Sequence, residues 1–175
     1  MIYLVTGGAS CGKSKFAEDL AIRLSEPHYY LATMLPFGNE SKEKILKHRE
    51  ERKGKNFLTF QCYGNLQCLK FPQRGTVLLE CMGNVAANVI FSQNSDKNKA
   101  VDEITKGIEN IINQSENIVI VSNDIFSDNL AYDAETLDYM KILGLLNQKI
   151  GEKADYVIEI CYSIPIFIKG DKNCF

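Results

Sequence analysis

A glycine-rich segment near the N-terminus constrains this chain more than any other feature. Residues 7–14 read Gly-Gly-Ala-Ser-Cys-Gly-Lys-Ser and match the pattern G-x-x-x-x-G-K-[ST]. The apolar run Ile2–Thr6 precedes the segment, and a stretch with apolar residues at helical spacing follows it. A buried strand, a glycine-rich loop and a helix in this order are typical of a phosphate-binding loop. The sequence therefore predicts a nucleoside triphosphate site here.

The residue types of this loop have chemical reasons. Glycines let the backbone curl so that successive N–H groups point into one concavity, and the following helix adds its positive end. Lys13 supplies a cation for the β- and γ-phosphates, and Ser14 offers a hydroxyl to Mg²⁺. Glu80 ends the apolar run Thr76–Glu80 and is predicted to hold Mg²⁺ directly or through water. The predicted phosphate contacts are Gly7, Gly8, Ala9, Ser10, Cys11, Gly12, Lys13 and Ser14.

Apolar runs and helical stripes alternate along the rest of the chain, which predicts an α/β P-loop fold. Strand–helix alternation implies a mainly parallel sheet with helices on both faces, and a tight turn at Ser163 predicts an antiparallel hairpin at one edge. A polar loop is predicted over 94–98. The predicted strands are Ile2–Thr6, His28–Ala32, Phe57–Cys62, Thr76–Glu80, Ile118–Val121, Tyr156–Cys161 and Ile164–Lys169. The predicted helices are Lys13–Ser25, Glu40–Lys53 and two apolar stripes over 101–111 and 137–150.

Composition narrows the classes of protein that the chain can belong to. A length of 175 residues, with 45% hydrophobic and 24% charged residues, suits one compact nucleotide-binding domain over 1–175. The net charge of −2 and the lack of a long basic stretch predict no nucleic-acid partner. The six cysteines contain no C-x-x-C pair and lie far from both histidines, which disfavours a zinc site. With no signal peptide and no membrane-spanning run, a cytoplasmic protein with reduced thiols is expected.

The helix predicted over Glu40–Lys53 offers a second candidate for chemistry. Ile45, His48, Arg49 and Arg52 fall at i, i+3, i+4 and i+7 and share one face. Arginine forks hold phosphate oxygens, and a neutral imidazole nitrogen can attack phosphorus to form a covalent intermediate. Charged helices more often simply face solvent, so the local pattern alone leaves both interpretations open.

A series of further segments forms a pattern more specific than the loop. In chain order they are Tyr30–Thr33, Asn39–Glu40, Lys44–Ile45 with His48 and Arg52, Leu78–Cys81 with Asn88, Val121–Asp124, Gly144, Leu146–Gln148 and Ala154–Asp155. Together with residues 7–18, they make the chain resemble the bifunctional adenosylcobinamide kinase / adenosylcobinamide-phosphate guanylyltransferases. The resemblance spans nearly the whole chain.

The resemblance implies two reactions in cobalamin assembly. Members of the family phosphorylate the aminopropanol hydroxyl of adenosylcobinamide and then transfer GMP from GTP to that phosphate, releasing pyrophosphate. It implies that His48 carries the GMP, that Lys13 is the other catalytic residue, and that the domain is RecA-like and forms a homotrimer. It also implies Mg²⁺, GTP and/or ATP as substrates, and a corrinoid partner. The further nucleotide contacts that we predict are Ala32, Thr33, Met34, Arg49, Glu50, Glu51, Arg52, Gln61 and Glu80.

The chain also departs from the family pattern. Ser10 and Cys11 stand where the family usually has arginine and serine, and Gln61 replaces a glutamate. Residues 126–128, and Leu137–Lys141 further on, lack the glycine-rich and arginine-rich stretches of the family. These departures fall where a corrinoid or its phosphate could be held. The alternative functions are therefore a P-loop kinase or nucleotidyltransferase for another small molecule, and a nucleotide-binding regulator without transfer chemistry.

Overall fold

Strands and helices alternate along the chain as the sequence predicts. A computed structural model describes residues 1–92, 97–126 and 131–172, with all their side chains except those of residues 40, 44, 51, 97 and 98. The strands are β1 Ile2–Thr6, β2 His28–Ala32, β3 Phe57–Gln61, β4 Thr76–Glu80, β5 Asn117–Val121, β6 Tyr156–Cys161 and β7 Ile164–Lys169. The helices are α1 Lys13–Ala21, α2 Gly38–Glu51, α3 Met82–Ile90, α4 Lys97–Gln114 and α5 Ala134–Lys153, with a 3₁₀ helix over Leu66–Cys68. None of these described helices combines the length and hydropathy needed to cross a membrane.

The seven strands form one sheet in the order β3-β2-β4-β5-β1-β6-β7. All neighbouring strands pair in parallel except β6 and β7, which form an antiparallel hairpin at one edge. The turn of this hairpin, Tyr162-Ser163, has φ angles of 50° and 65°, the left-handed pair that matches the twist of tight hairpins. The predicted fold class is therefore confirmed, including the edge hairpin.

Apolar clusters cover both faces of the sheet. On one face Val77 and Leu79 of β4 pack with residues of α3, α4 and α5. On the opposite face Leu78 packs with α1. Central parallel strands are covered on both sides in this way, which explains why they appear in the sequence as continuous apolar runs.

Two differences from the prediction have local causes. The first helix ends at Ala21 instead of Ser25, because Arg23 and Leu24 donate backbone hydrogen bonds three residues back to Leu20 and Ala21 and so tighten the last turn. Helix α3 was not predicted, although its buried residues Met82, Val85, Ala86 and Ile90 fall at helical spacing, because an apolar stretch of nine residues is ambiguous between strand and helix. Most of the predicted loop over 94–98 lies outside the described residues, and its last two positions begin α4.

The packing of α5 leads to a stability prediction. Leu146 is fully buried, whereas Leu137 on the same helix is 52% exposed. Leu146→Ala should lower the free energy of unfolding by about 3 kcal/mol, because it leaves a cavity in the core. Leu137→Ala should change it by less than about 1 kcal/mol. Equilibrium unfolding in urea measures both values, and equal losses would contradict the burial of this face of α5.

Candidate active site

The phosphate loop is shaped by close contacts with the edge hairpin. Gly7 and Gly12 have φ angles of 149° and 97°. A Cβ on Gly7 would lie 2.6 Å from the carbonyl oxygen of Ile160, and one on Gly12 would lie 2.6 Å from Ser163 Oγ. The Ser163 N–H donates to the carbonyl of Cys11 at 2.9 Å. Glycine is required at both positions, because of backbone conformation and because the hairpin approaches so closely.

Lys13 lies at the first turn of α1 and is buried. Its Nζ donates to the Gly8 carbonyl at 2.8 Å, so the ammonium group folds back over the loop. Ser14 follows on the same turn, and both side chains face the same cavity. The loop therefore presents a cation and a hydroxyl side by side at the start of a helix, the arrangement that binds phosphate and its metal.

A cavity of about 320 Å³ opens beside the loop. It lies where β2 and β4 end, at the carboxyl edge of the sheet, where parallel α/β folds bind their ligands. The predicted residues that line it are Lys13, Ser14, Ala32, Thr33, Met34, His48, Arg49, Arg52, Gln61 and Glu80. The structure therefore brings the phosphate loop, the strand-end glutamate and the histidine helix together around one space.

Other predicted residues lie apart from this space. Residues 7–12 do not line the cavity, although they form the loop at its side. Glu50 is exposed and forms an ion pair with Lys53 at 2.7 Å, so the structure does not bring it to the cavity. The side chain of Glu51 lies outside the described residues.

Sequence reasoning also missed several residues of the lining. Most of them sit at or just after the carboxyl ends of strands, and that position is the signal that could have found them. They are Tyr30, Thr59, Tyr63, Cys81, Asn84, Val121 and Asn123.

Tyr30 orients the carboxylate of Glu80. Its hydroxyl donates to Glu80 Oε2 at 3.1 Å. Burial raises the pKa of Tyr30, and the neighbouring Glu80 charge raises this pKa further, so the phenol stays protonated and remains a donor. The end of β4 is fixed as well, because Thr33 Oγ1 donates to the Glu80 carbonyl at 2.6 Å. The acidic group is thus held at one side of the cavity.

A buried ion cluster joins the end of α2, the helix that carries His48, to α1. The guanidinium carbon of Arg52 lies 3.5 Å from the centre of the Tyr30 ring. Arg52 also lies 3.9 Å from Glu18 of α1, and Lys55 Nζ lies 2.5 Å from the other Glu18 oxygen. The Glu18 side chain is only 4% exposed. Because α1 begins at the phosphate loop, Glu18 fixes the end of α2 relative to the phosphate site.

The Arg52 side chain keeps one donor for a ligand. It is 8% exposed. Its Nη1 lies 3.9 Å from Glu18 Oε1, beyond hydrogen-bond distance, and finds no hydrogen-bond acceptor among the described residues. A buried guanidinium with an unused N–H group beside a cavity is suited to bind a phosphate oxygen.

His48 and Cys81 of the lining offer an imidazole and a thiol as possible nucleophiles. Burial raises the pKa of the Cys81 thiol. A protonated thiol is a poor nucleophile, because the thiolate is the reactive form. His48 is therefore the better candidate of the two.

Comparison with known proteins identifies the family. Residues 3–168 match the family described as cobinamide kinase / cobinamide phosphate guanyltransferase. The chain belongs to this family. It is 27% identical over 183 aligned residues to the bifunctional adenosylcobalamin biosynthesis protein CobU of Salmonella typhimurium, and 28% identical to the protein of that name from Escherichia coli. Both alignments cover 97% of this chain and 100% of the relative.

Membership confirms the predicted resemblance and the kinase and guanylyltransferase role in cobalamin biosynthesis. The fold has a solved neighbour in the flagellar accessory protein FlaH from Methanocaldococcus jannaschii, with a TM-score of 0.50 and 14% identity. That likeness covers 97% of this chain and 78% of FlaH and concerns the fold alone.

The structure places the residues at which this chain differs from the family pattern. Ser10 is exposed, so the rim of the loop carries a hydroxyl where the family pattern has arginine. Gln61 faces the cavity, so an amide replaces a carboxylate there. Leu137–Lys141, the stretch that lacks the arginines, lies early in α5 and does not line the cavity. The stretch after Asp124 lies partly outside the described residues.

The buried ion cluster leads to a second stability prediction. Glu18→Gln removes the negative charge that faces Arg52 and Lys55, and a buried pair that loses one partner should cost about 3 kcal/mol of unfolding free energy. Glu50→Gln is the matched control, because its ion pair with Lys53 is exposed, and it should cost less than about 1 kcal/mol. Urea unfolding measures both. Equal costs would show that Glu18 does not anchor α2.

Proposed function

We propose that the 320 Å³ cavity is one nucleotide site that serves both reactions of the family. The observation that supports this is the presence of Lys13, Glu80 and His48 in one lining. Kinase chemistry needs the first two, and guanylyl transfer needs the third.

In the kinase step, the aminopropanol hydroxyl of adenosylcobinamide attacks the γ-phosphorus of a bound triphosphate. The new O–P bond forms as the bond to the β-phosphate oxygen breaks, a nucleoside diphosphate leaves, and the hydroxyl proton is released to solvent. Lys13 stabilises negative charge on the β- and γ-phosphates. Its ammonium group exchanges the hydrogen bond to the Gly8 carbonyl for one to the phosphates.

In the transferase step, an imidazole nitrogen of His48 attacks the α-phosphorus of GTP. An N–P bond forms, pyrophosphate leaves, and GMP remains on the histidine. A phosphate oxygen of the cobinamide phosphate then attacks the same phosphorus, the N–P bond breaks, and the imidazole is regenerated. Arg52 supports this step with its unused N–H group, and Arg49 adds a second cation to the lining.

The residues present also fit Mg²⁺. Ser14 and Glu80 offer a hydroxyl and a carboxylate to the same cavity, and Mg²⁺ prefers oxygen ligands. Tyr30 holds one carboxylate oxygen of Glu80, so the group is oriented before a metal binds. The bound ion would neutralise charge on the phosphates.

The whole chain acts as one nucleotide-binding domain, since the seven strands share one sheet. The protein assembles as a homotrimer, for which the three isoleucines of β7 (Ile164, Ile166 and Ile168, each at least 46% exposed) provide an apolar surface. It acts in the cytoplasm, where ATP and GTP are supplied.

The guanylyl-carrier role is tested with GTP labelled at the α-phosphate. With Mg²⁺ present, we expect label on the protein that is lost in acid and kept in alkali, as a histidine phosphoramidate behaves. His48→Asn should take up no label, while His28→Asn, which changes the other histidine, should label like the wild type. Label on His48→Asn, or none on the wild type, would contradict the role of His48.

The kinase role is tested with nucleotide labelled at the γ-phosphate. Label should move to adenosylcobinamide. Lys13→Ala should weaken triphosphate binding about tenfold to a hundredfold, the loss expected for one charged hydrogen bond. Lys15→Ala, an exposed lysine two residues further on, is the control and should leave affinity unchanged. Unchanged affinity in Lys13→Ala would count against the phosphate site itself.

A further inference from the structure

A second, larger groove adjoins the nucleotide cavity. Its volume is about 920 Å³, against about 320 Å³ for the cavity. Tyr63, which follows β3, lines both spaces, so they meet at this residue. From there the groove runs between the 3₁₀ helix and helices α3 and α4. None of the predicted site residues whose side chains the structure describes lines it, and neither proposed reaction uses it.

The floor of this groove is rigidly built. The 3₁₀ helix lies directly on α4, where a Cβ on Gly107 would come within 2.5 Å of Leu66 Cβ. Asn110 Nδ2 donates to the carbonyls of Leu66 and Leu69, each at 3.1 Å. Gln67 Nε2 donates to the Glu103 carbonyl at 3.1 Å. A segment held by a close helix contact and three side-chain hydrogen bonds keeps its shape without a ligand.

The junction between the two spaces is also fixed. Asn88 of α3 donates through Nδ2 to the Thr33 carbonyl at 2.8 Å and to the Tyr63 carbonyl at 2.7 Å. Thr33 and Tyr63 follow β2 and β3, and both line the nucleotide cavity. Asn88 therefore joins these two chain segments and sets the position of the groove relative to the reacting phosphates.

The lining of the groove has a chemical character of its own. Leu66 and Ile104 are buried and provide an apolar floor, with Val89 half-buried beside them. Asn65 and Gln67 are exposed at the rim and present carboxamides, and Lys99, Glu103 and Lys106 add exposed charged side chains there. An apolar floor with an amide rim matches a flat macrocycle whose edge carries amide side chains. A space of about 320 Å³ is at the small end of ligand pockets and has no room for such a macrocycle beside a nucleotide.

We propose that this groove binds the corrin ring of the substrate, with the aminopropanol arm passing Tyr63 into the nucleotide cavity. The inference rests on the proposed function, which supplies the corrinoid. The apolar floor takes the ring face, the rim amides meet the peripheral amides of the corrinoid, and Asn88 holds the entry at a fixed distance from the phosphates.

The test fills the groove and leaves the nucleotide cavity intact. Val89→Trp places a large side chain over the floor, and Asn65→Trp does so at the exposed rim, where misfolding is not expected. Each should raise the KM for adenosylcobinamide about tenfold or more in the kinase assay. The KM for ATP and the rate of His48 guanylylation by GTP, a step without corrinoid, should stay at wild-type values. Glu152→Trp, exposed near the end of α5 and outside the lining of both spaces, is the control and should change none of these.

The possible outcomes separate the two proposals. A folded Asn65→Trp and a folded Val89→Trp that both keep the wild-type KM for adenosylcobinamide would overturn the groove assignment. If Val89→Trp fails to fold, Asn65→Trp alone decides. The assignment would also be overturned if the KM for ATP rises, or guanylylation slows, by the same factor as the KM for adenosylcobinamide rises. The substitutions would then act through the nucleotide site. A wild-type chain that phosphorylates no adenosylcobinamide would instead refute the proposed function.

Discussion

The buried carboxylate of Glu18 is the constraint on which the site geometry depends. Its side chain is 4% exposed, and the positive charges facing it are Arg52 and Lys55, which end α2 or follow it. A buried carboxylate without a counter-charge is costly, so the chain after α2 must pack against α1. Because α1 starts at the phosphate loop and His48 lies one turn before Arg52, the same contact sets the distance from the histidine to the phosphates. A helix whose local sequence pattern left a solvated surface and a phosphate-handling face both open thereby becomes one wall of the site.

The electrostatics of the cavity follow from this arrangement. Among the side chains that the structure describes, Lys13, Arg49 and Arg52 bring three cations to the lining, against the single carboxylate of Glu80. Among the described residues, the surplus is positive, as a triphosphate requires, and charges in a partly buried space attract more strongly than in water. Tyr30 connects the cationic and the acidic groups of the cavity, since its ring packs against Arg52 and its hydroxyl donates to Glu80. One aromatic side chain thus positions both a cation for the phosphates and the acidic group predicted to hold the metal.

The sequence predicted the sheet well, because buried strands leave a clear apolar pattern, and it missed the element whose pattern is short and ambiguous. Strands such as β2 and β4 are short continuous apolar runs bounded by polar residues, so their ends were predicted correctly. Helix α3 carries its buried residues at helical spacing, but over only nine largely apolar residues that spacing is hard to tell from a buried strand. In the site, Glu80 followed from the rule that ligands gather at the carboxyl ends of parallel strands. The roles of Tyr30 and Glu18 rest on contacts with residues 50 and 37 positions away, which no local pattern contains.

The phosphate loop keeps its shape although Ser10 and Cys11 differ from the family pattern. Its conformation depends on backbone contacts with the edge hairpin: Ser163 N–H donates to the Cys11 carbonyl, and Gly7 and Gly12 lie too close to Ile160 and Ser163 for any side chain. None of these contacts uses the side chain at position 10, whereas the Cys11 thiol lies 2.7 Å from where a Cβ on Gly7 would stand. An exposed serine in place of arginine at position 10 removes a charge from the rim and leaves the concavity of N–H groups in place. The hairpin, far from the loop in sequence, is therefore what lets the phosphate site tolerate substitution within its own motif.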